Sequence, residues 1–497
     1  MNKTILLFII FLSVIISASS QNVDFEKLDT YFGKTSTDWG IPGMSVGIVK
    51  DGEIVFSKGY GVLEVGKPEK PDGNTLYAIA SNSKAFTSAI IAMLVQEGKL
   101  NWDDKVQKYL PYFELYYPFV SRETTIKDLL CHRVGLGTFS GDVIWYKSNL
   151  TSEEIIKRLK YLPNKFNFRD GYGYSNVMYI TAGEVIKKVT GKTWGENVQE
   201  RILDPINMKR TVYSLSKLDE KGNFATPHAF EEEKNIPIPY VDWEEIGALG
   251  GIISSVNDMG KWMIFNMNAQ FVIRLWNLHN PMLVDPTKPN EFQTHFTGYG
   301  LGWKLSDLHG KLSVSHGGGY DGMISSVTMI PEEKLGVVVL TNGMNAPTGV
   351  VTNYVLAAFL GLEEKDWSAQ MLEQSKKRQA GDKRISDRME KRVAGTNPSL
   401  PLEKYTGVYN SLIYGKIEVK PENGKLRLYF EHTPDLSATL EHWHYDVWQI
   451  NWDKTQAWFT FGTVKFNMTN NLEITGLDFD VPNDDIFFEE LKPVRLN

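Results

Sequence analysis

Ser81 and Lys84 stand three residues apart in AIASNSKAFTSAII, at the mouth of a segment that reads as a buried helix. Residues i and i+3 share one helix face, one turn apart, so the lysine amine can reach the serine hydroxyl. A helix N-terminus carries partial positive charge, which favours an alkoxide on Ser81 and disfavours the ammonium form of a nearby buried amine. A lysine stripped of water in this way can act as a base. The pair alone also fits an N-cap followed by a solvated lysine; the strongly apolar helix behind Lys84 favours chemistry. Two further stretches carry polar groups. Tyr174-Ser175-Asn176, in RDGYGYSNVMYI, can set a phenol and an amide on one side of a turn, with a turn cap beside a core tyrosine as the plain alternative. His316-Gly317-Gly318-Gly319 is expected to end the strand LSVSH and open a bend whose glycines let another backbone come close.

In that order, Ser81-x-x-Lys84, Tyr174-Ser175-Asn176 and His316-Gly317-Gly318 resemble the three signature elements of the serine β-lactamase and penicillin-binding-protein superfamily. The similarity is greatest to its branch of class C β-lactamases, D-alanyl-D-alanine carboxypeptidases and esterases. GIPGMSVGIVKDGEIVFSKGYG, GKLNWDDKV, IKDLLCHRVGL, GALGGIISSVNDMGKW and GYGLGW resemble the same branch, from about residue 25 to 360. The resemblance implies that Ser81 is the acylated nucleophile and that Lys84 helps deprotonate it. It implies that Tyr174 acts with Lys84 as base toward Ser81 and as acid toward the leaving group, and that Asn176 holds a substrate amide. The oxyanion would meet the backbone N–H groups of Ser81 and Gly319, with Gly318 in the same element.

His316 departs from the pattern, since β-lactamases and carboxypeptidases of this superfamily usually carry lysine there in a Lys-Thr-Gly element. Histidine is mostly neutral at pH 7, which weakens recognition of a substrate carboxylate. Relatives with histidine here resemble esterases and peptidases more than antibiotic-destroying enzymes. The function expected is therefore a serine hydrolase that cleaves an ester or a small peptide or amide, D-residue-containing ones included, through an acyl-enzyme on Ser81. Two alternatives stand beside it: a catalytically idle binding or matrix protein, disfavoured because Ser81, Lys84 and Tyr174 occur together, and a true β-lactamase, disfavoured by His316.

These residues need a scaffold, and the pattern supplies one. MSVGIVKDGEIVFSKGYGV alternates around Asp51-Gly52 and reads as a hairpin. Ala85, Phe86, Ala89, Ile90, Met93 and Leu94 recur at helical spacing up to Gly98, a wide apolar face that predicts a central helix. TTIKDLLCHRVGLG, TSEEIIKRLKYLP with Thr151 and Glu154 as capping box, and VMYITAGEVIKKVTG read as further helices. KLSVSH, MISSVTMI and KLGVVVLTN read as short strands, followed by the apolar helix VVTNYVLAAFLG. Residues 363–400 are a charged helical linker, and 401–497 a small all-β module in which YGKIEVKPENGKLRLYF turns at Asn423-Gly424 and AWFTFGTVKFNMT continues the alternation. The fold class expected is α+β, a β-lactamase/transpeptidase-like antiparallel sheet flanked by helices with a helical subdomain over residues 21–362, plus a barrel-like C-terminal domain.

Residues 1–20 combine Lys3, an apolar run from Ile5 to Ile16, and small residues with Ala18 and Ser20 before Gln21, which reads as a signal peptide for export to the periplasm or outside. The run is shorter than the ~20 residues of a spanning helix, so no membrane span is expected after its removal. Without Lys3, 52 basic residues face 60 acidic ones, a balance of −8 that is unclustered and disfavours nucleic acid as a partner. A small molecule or peptide substrate is the partner expected. No cofactor or metal is expected. Cys131 is the single cysteine and sits in the apolar run DLLCH, as a buried thiol would. Gly43-Met44-Ser45-Val46-Gly47 satisfies a nucleophile-elbow pattern without its strand–turn–helix context, so Ser45 reads as structural. His432, His442 and His444 lack accompanying carboxylates or cysteines and read as individually satisfied. Asn149-Leu150-Thr151 and Asn467-Met468-Thr469 are glycosylation acceptors only in a eukaryotic host.

Overall fold

The computed structural model describes residues 23–287 and 290–496; the stretch read as a signal peptide lies outside the described residues. Among the described residues, no helix is long and apolar enough to cross a membrane. Gly43–Lys50 and Glu53–Gly61 form the predicted hairpin: Lys50 faces Glu53, and Asp51 and Gly52 take φ of 54° and 87°, the turn geometry that suits twisted strands. They edge an eight-stranded antiparallel sheet that continues through Leu335–Thr341, Met323–Ile330, Lys311–Tyr320, Lys304–Leu308 and Thr297–Tyr299 to Asn280–Met282. Every residue of Leu335–Thr341 is buried, because helices cover both faces of the sheet. Leu335, Val337 and Val339 join Met44, Val46 and Ile48 beneath helices Phe25–Asp38 and Thr348–Leu360. Val338 and Leu340 face the other way, into the core around helix Ser83–Gln96. This accounts for the continuous apolar run in a strand of an antiparallel sheet.

The helix Ser83–Gln96 is buried from its first residue through Ala92, as its wide apolar face predicts, and Gly98 closes it at φ 71°. Helix Asn176–Thr190 ends at Gly191, φ 73°, and the Thr151–Glu154 capping box starts helix Ser152–Arg158. The segment read as one helix from Thr124 is helical only over Ile126–Leu130. His132 at φ 59° and Gly135 at φ 104° turn the chain back toward the buried carboxylate of Asp128. That carboxylate accepts from Arg133 Nε at 2.6 Å and Arg169 Nε at 3.0 Å, as well as from Thr125 in a capping box. Cys131 is buried beside it, and burial pushes its thiol up to about 12. Ser45 lies within its strand, its hydroxyl donating to the Asp72 carbonyl at 3.0 Å and 3.1 Å from the Tyr77 phenol, a structural serine.

The last eight strands, from Gly407–Ser411 to Val494–Arg495, close a barrel. Asn423 and Gly424 make the expected turn, φ 50° and 74°, between facing residues Glu422 and Lys425. AWFTFGTVKFNMT is extended ladder only from Thr463. Before it, residues 455–462 form a loop because their side chains are drawn elsewhere. Gln456 Oε1 accepts from Lys147 at 2.7 Å and from Tyr146 at 3.3 Å, Phe459 packs on Phe488 at 5.1 Å, and Trp458 enters the cavity described below. Tyr146 and Lys147 also hold Asp321, at 2.9 and 3.3 Å, so the barrel docks onto a buried ion pair. His432 Nδ1 is 3.1 Å from the Asn149 side-chain oxygen, His442 Nε2 is 2.8 Å from the Tyr445 carbonyl, and His444 Nδ1 accepts from the Val393 N–H at 3.1 Å. Helix Trp367–Gly381 buries Trp367 against Phe292, while Arg384 and Arg388 of the next helix donate to Asp484 and Asp480 of the barrel.

Asp128 ties two loops that lead toward Tyr174. Burial by itself would raise its carboxyl; Arg169, the backbone and hydroxyl of Thr125, and Arg133 together hold it below the usual range. Asp128→Ala strands two arginines and is expected to cost about 3 kcal/mol in urea denaturation. A depressed folded-state value makes this contribution full above about pH 4 and progressively lost as the pH falls through that value, so the difference between variant and parent should shrink in acid.

Candidate active site

A tight turn Ala80–Asn82 leads into helix Ser83–Gln96, and Ser81 sits on that turn rather than in the helix itself. Ala80 takes φ 46°, a left-handed conformation costly for a residue with a β-carbon, directly before the serine. Such strain aims the Ser81 hydroxyl into the cavity. Lys84 is fully buried, and its Nζ lies 2.8 Å from Ser81 Oγ, 2.7 Å from Asn176 Oδ1 and 2.8 Å from the Leu249 carbonyl. Loss of hydration brings its amine down to about 7, against an opposing pull from Asp142. A neutral amine has two N–H groups and one lone pair. The two carbonyl oxygens take both N–H groups, which leaves the lone pair for the proton of Ser81.

Tyr174 and Asn176 come from the start of helix Asn176–Thr190. The Tyr174 side chain lines the cavity beside Ser81, and its ring centre is 4.9 Å from Lys84 Nζ. Burial, reinforced by Tyr172, Tyr179 and Asp142, keeps its phenol protonated well above its ordinary range, against an opposing pull from Ser81. The base poised near neutrality is therefore Lys84, and Tyr174 stands ready as a donor. Asn176 differs from the expectation that it faces substrate. Its Nδ2 donates to Asp142 at 2.6 Å and its Oδ1 faces Lys84, so both ends of the amide are already engaged.

Asp142 carried no motif. It is buried, takes the Trp145 indole N–H at 2.8 Å on its other oxygen, and lines the cavity. Burial raises its carboxyl well above the ordinary range, opposed by Trp145, Asn176 and Lys84. Its Oδ2, accepting from Nδ2, fixes which way the Asn176 amide points. His132 is a second unmarked neighbour: its Nδ1 accepts from Ser175 N–H at 3.0 Å and its ring packs on Tyr174 at 4.3 Å.

The glycines after His316 do not open a bend. Strand Lys311–Tyr320 continues through them, with Gly317, Gly318 and Gly319 opposite Ser326, Ser325 and Ile324. On its other side the strand pairs only as far as Ser315, so among the described residues His316–Tyr320 has no second strand beside it and faces the Ser81 turn. The close approach is real: a β-carbon on Gly318 would lie 2.2 Å from the Ile79 carbonyl oxygen. His316 donates from Nδ1 to the Gly317 carbonyl at 2.6 Å, which leaves Nε2 to accept from the Tyr299 phenol at 2.7 Å. Burial, with Lys84 adding, brings it down to about 3, so it is neutral at physiological pH.

Ser81, Asp142, Tyr174, Asn176 and His316 line one cavity of about 480 Å³, walled by Phe139, Trp145, Trp243 and Tyr299. Lys304 supplies a cation at its side, and the barrel contributes Trp458, Asp485 and Ile486. Burial raises Asp485 to about 6.

A serine and a desolvated lysine at a helix N-terminus, faced by a tyrosine and an open strand edge, here stand on a fold of the β-lactamase-like class. The chain matches the Beta-lactamase family over residues 28–361 and belongs to it; residues 391–494 match a domain of unknown function, DUF3471. It is 28% identical over 449 residues to Unguisins hydrolase ungD of Aspergillus violaceofuscus, covering 81% of this chain and 79% of the relative. The octameric penicillin-binding protein homologue of Pyrococcus abyssi superposes with a TM-score of 0.61 at 23% identity, over 92% of this chain and 98% of that one. A D-stereospecific amidohydrolase from Streptomyces sp. superposes at 0.54 and 21%, over 68% of this chain and all (100%) of that one. The chain is thus a member of the β-lactamase-like serine hydrolase family.

The glycine contacts give a direct check. Gly318→Ala must push the Ile79–Ser81 turn and is expected to cost about 1–3 kcal/mol in thermal or urea unfolding. Gly317→Ala has its nearest atom at 3.8 Å and should leave stability unchanged.

Proposed function

We propose that this chain is an exported serine hydrolase that cleaves an ester or a small peptide or amide through an acyl-enzyme on Ser81. The observation that carries the reading is the Lys84 amine, brought near neutrality by burial and aimed by two carbonyl acceptors at the Ser81 hydroxyl. In this mechanism Ser81 attacks the carbonyl as its proton passes to Lys84, and Tyr174 delivers a proton to the leaving group. The backbone N–H groups of Ser81 and Gly319 receive the oxyanion at the edge of the strand. Export rests on the N-terminal apolar run.

Amide and D-residue substrates are favoured by what similar proteins are called, a hydrolase of unguisins and a D-stereospecific amidohydrolase. Lactam hydrolysis is disfavoured by His316, whose two nitrogens are both occupied and whose ring is neutral, so it cannot supply the charge of the lysine it replaces. An idle binding role is disfavoured by the desolvated lysine, a costly arrangement that binding does not need.

A fluorophosphonate probe should label Ser81 stoichiometrically, and Ser81→Ala should abolish the label in intact-mass analysis. The labelling rate should rise with pH and level off above about 7, as Lys84 loses its proton. Lys84→Arg keeps a permanent charge and should slow labelling by roughly 10²–10⁴-fold. Folded protein that takes no label would overturn the enzyme reading. Among p-nitrophenyl esters, D-amino-acid amides and nitrocefin, efficient turnover of nitrocefin would refute the argument from His316.

A further inference from the structure

The barrel touches the catalytic machinery at a point none of the signature motifs marks. Glu490 lies in the short turn Phe488–Glu490, anchored by Phe488, which is buried among Phe430, Trp452 and Phe459. Its carboxylate takes two bonds from the other domain: the Ser140 hydroxyl at 2.6 Å and the Gly141 N–H at 2.8 Å. The stretch it grips is connected to the site twice. Phe139 N–H donates to the Tyr174 carbonyl at 2.8 Å and Thr138 Oγ1 accepts from Tyr174 N–H at 3.1 Å, which fixes the backbone of the tyrosine. Asp142, the next residue after Gly141, holds Asn176 at 2.6 Å, and Asn176 holds Lys84 at 2.7 Å. Gly141 sits at φ 87°, where only glycine is free of strain, so the turn needs an outside hold more than an ordinary helix start would.

We propose that Glu490 of the C-terminal barrel is a positioning residue for the active site: by clamping Ser140 and Gly141 it sets Asp142 and the Tyr174 backbone, and through Asn176 the orientation of the Lys84 amine toward Ser81. The barrel is then part of the catalytic unit and not a separate appendage. A second barrel contact has the same consequence, because the Trp458 indole lies over Gly319, where a β-carbon would be 2.9 Å from its Cη2. The inference rests on the acyl-enzyme reading of Ser81.

The test uses the full chain and the rate of fluorophosphonate labelling per folded molecule, with folding followed by near-ultraviolet circular dichroism. Glu490→Ala should slow labelling on the order of tenfold to a hundredfold, the scale of a misplaced catalytic group. Ser140→Ala, which keeps the bond from Gly141, should lose less. Glu490→Gln should recover most of the rate, since its carbonyl can accept from Gly141 while its amide donates to the Ser140 hydroxyl. With a p-nitrophenyl ester the loss should appear in kcat with KM little changed. Arg388→Ala, which removes the bond from helix Arg384–Glu390 to Asp480 of the barrel and leaves Glu490 in place, should label at the parental rate. Parental labelling of folded Glu490→Ala and Ser140→Ala overturns the proposal, as does a Glu490→Gln no faster than the alanine variant. Should Glu490→Ala fail to fold, Ser140→Ala and Glu490→Gln decide. Parental protein that takes no label at all overturns the acyl-enzyme reading, and this inference falls with it.

Discussion

An amine held out of water is what the rest of this molecule is arranged around. Lys84 has no solvent contact, and moving its proton affinity from 10.5 to about 7 corresponds to on the order of 5 kcal/mol at neutral pH. The sign follows from linkage: the penalty is absent above the unfolded value, grows as the pH falls from about 10.5, and is complete below about 7. A structure sustains such a group only if the surrounding core is large and the amine's own hydrogen bonds are met. Both conditions hold, in the continuous apolar cluster around the central helix and in the carbonyls of Leu249 and Asn176.

The same constraint shapes the groups nearby. A charge on Lys84 would be unwelcome among His132, His316 and the buried tyrosines, and all of these are held neutral by burial over the physiological range. His316 spends its two nitrogens on Gly317 and Tyr299, so it acts as a rigid neutral element of the strand edge. Its glycine neighbours let that edge come within contact of the Ile79–Ser81 turn. Asp142 supplies a carboxylate at one remove, where it orients Asn176 without touching the lysine amine directly. Polar groups in a dry site are useful only when every one has a defined partner, and this network approaches that condition.

The barrel extends the network. Its interior aromatics are continuous with the core of the catalytic domain, and Gln456, Glu490 and Trp458 reach across to Lys147, to the Ser140–Gly141 turn and to Gly319. A cavity with one wall from each domain depends on how the two are docked. The buried Lys147–Asp321 pair under Gln456 is part of what sets that docking.

Local relations were legible in the residues themselves. Ser81 and Lys84 face each other because three residues make one helical turn; Asp51-Gly52 and Asn423-Gly424 turn because those residues tolerate positive φ; Gly98 and Gly191 end helices for the same reason. Other features were misread for equally physical reasons. Three glycines suggested a bend, yet the ladder opposite Ser325 and Ser326 keeps them extended. The alternation of AWFTF suggested a strand, yet Trp458 is pulled into a cavity assembled elsewhere. Asp142, His132 and Glu490 bore no mark because each acts on a residue far along the chain, and nothing in spacing encodes a contact across 34 or 350 positions. What the sequence determined by itself was the chemistry on offer, a serine, a lysine, a tyrosine and a permissive glycine strand, since these follow from residue type and short-range geometry. Only the tertiary structure decided that the lysine is dry, which way its proton acceptor points and which distant carboxylates hold it there, because desolvation and orientation belong to the packed surroundings and not to any one segment.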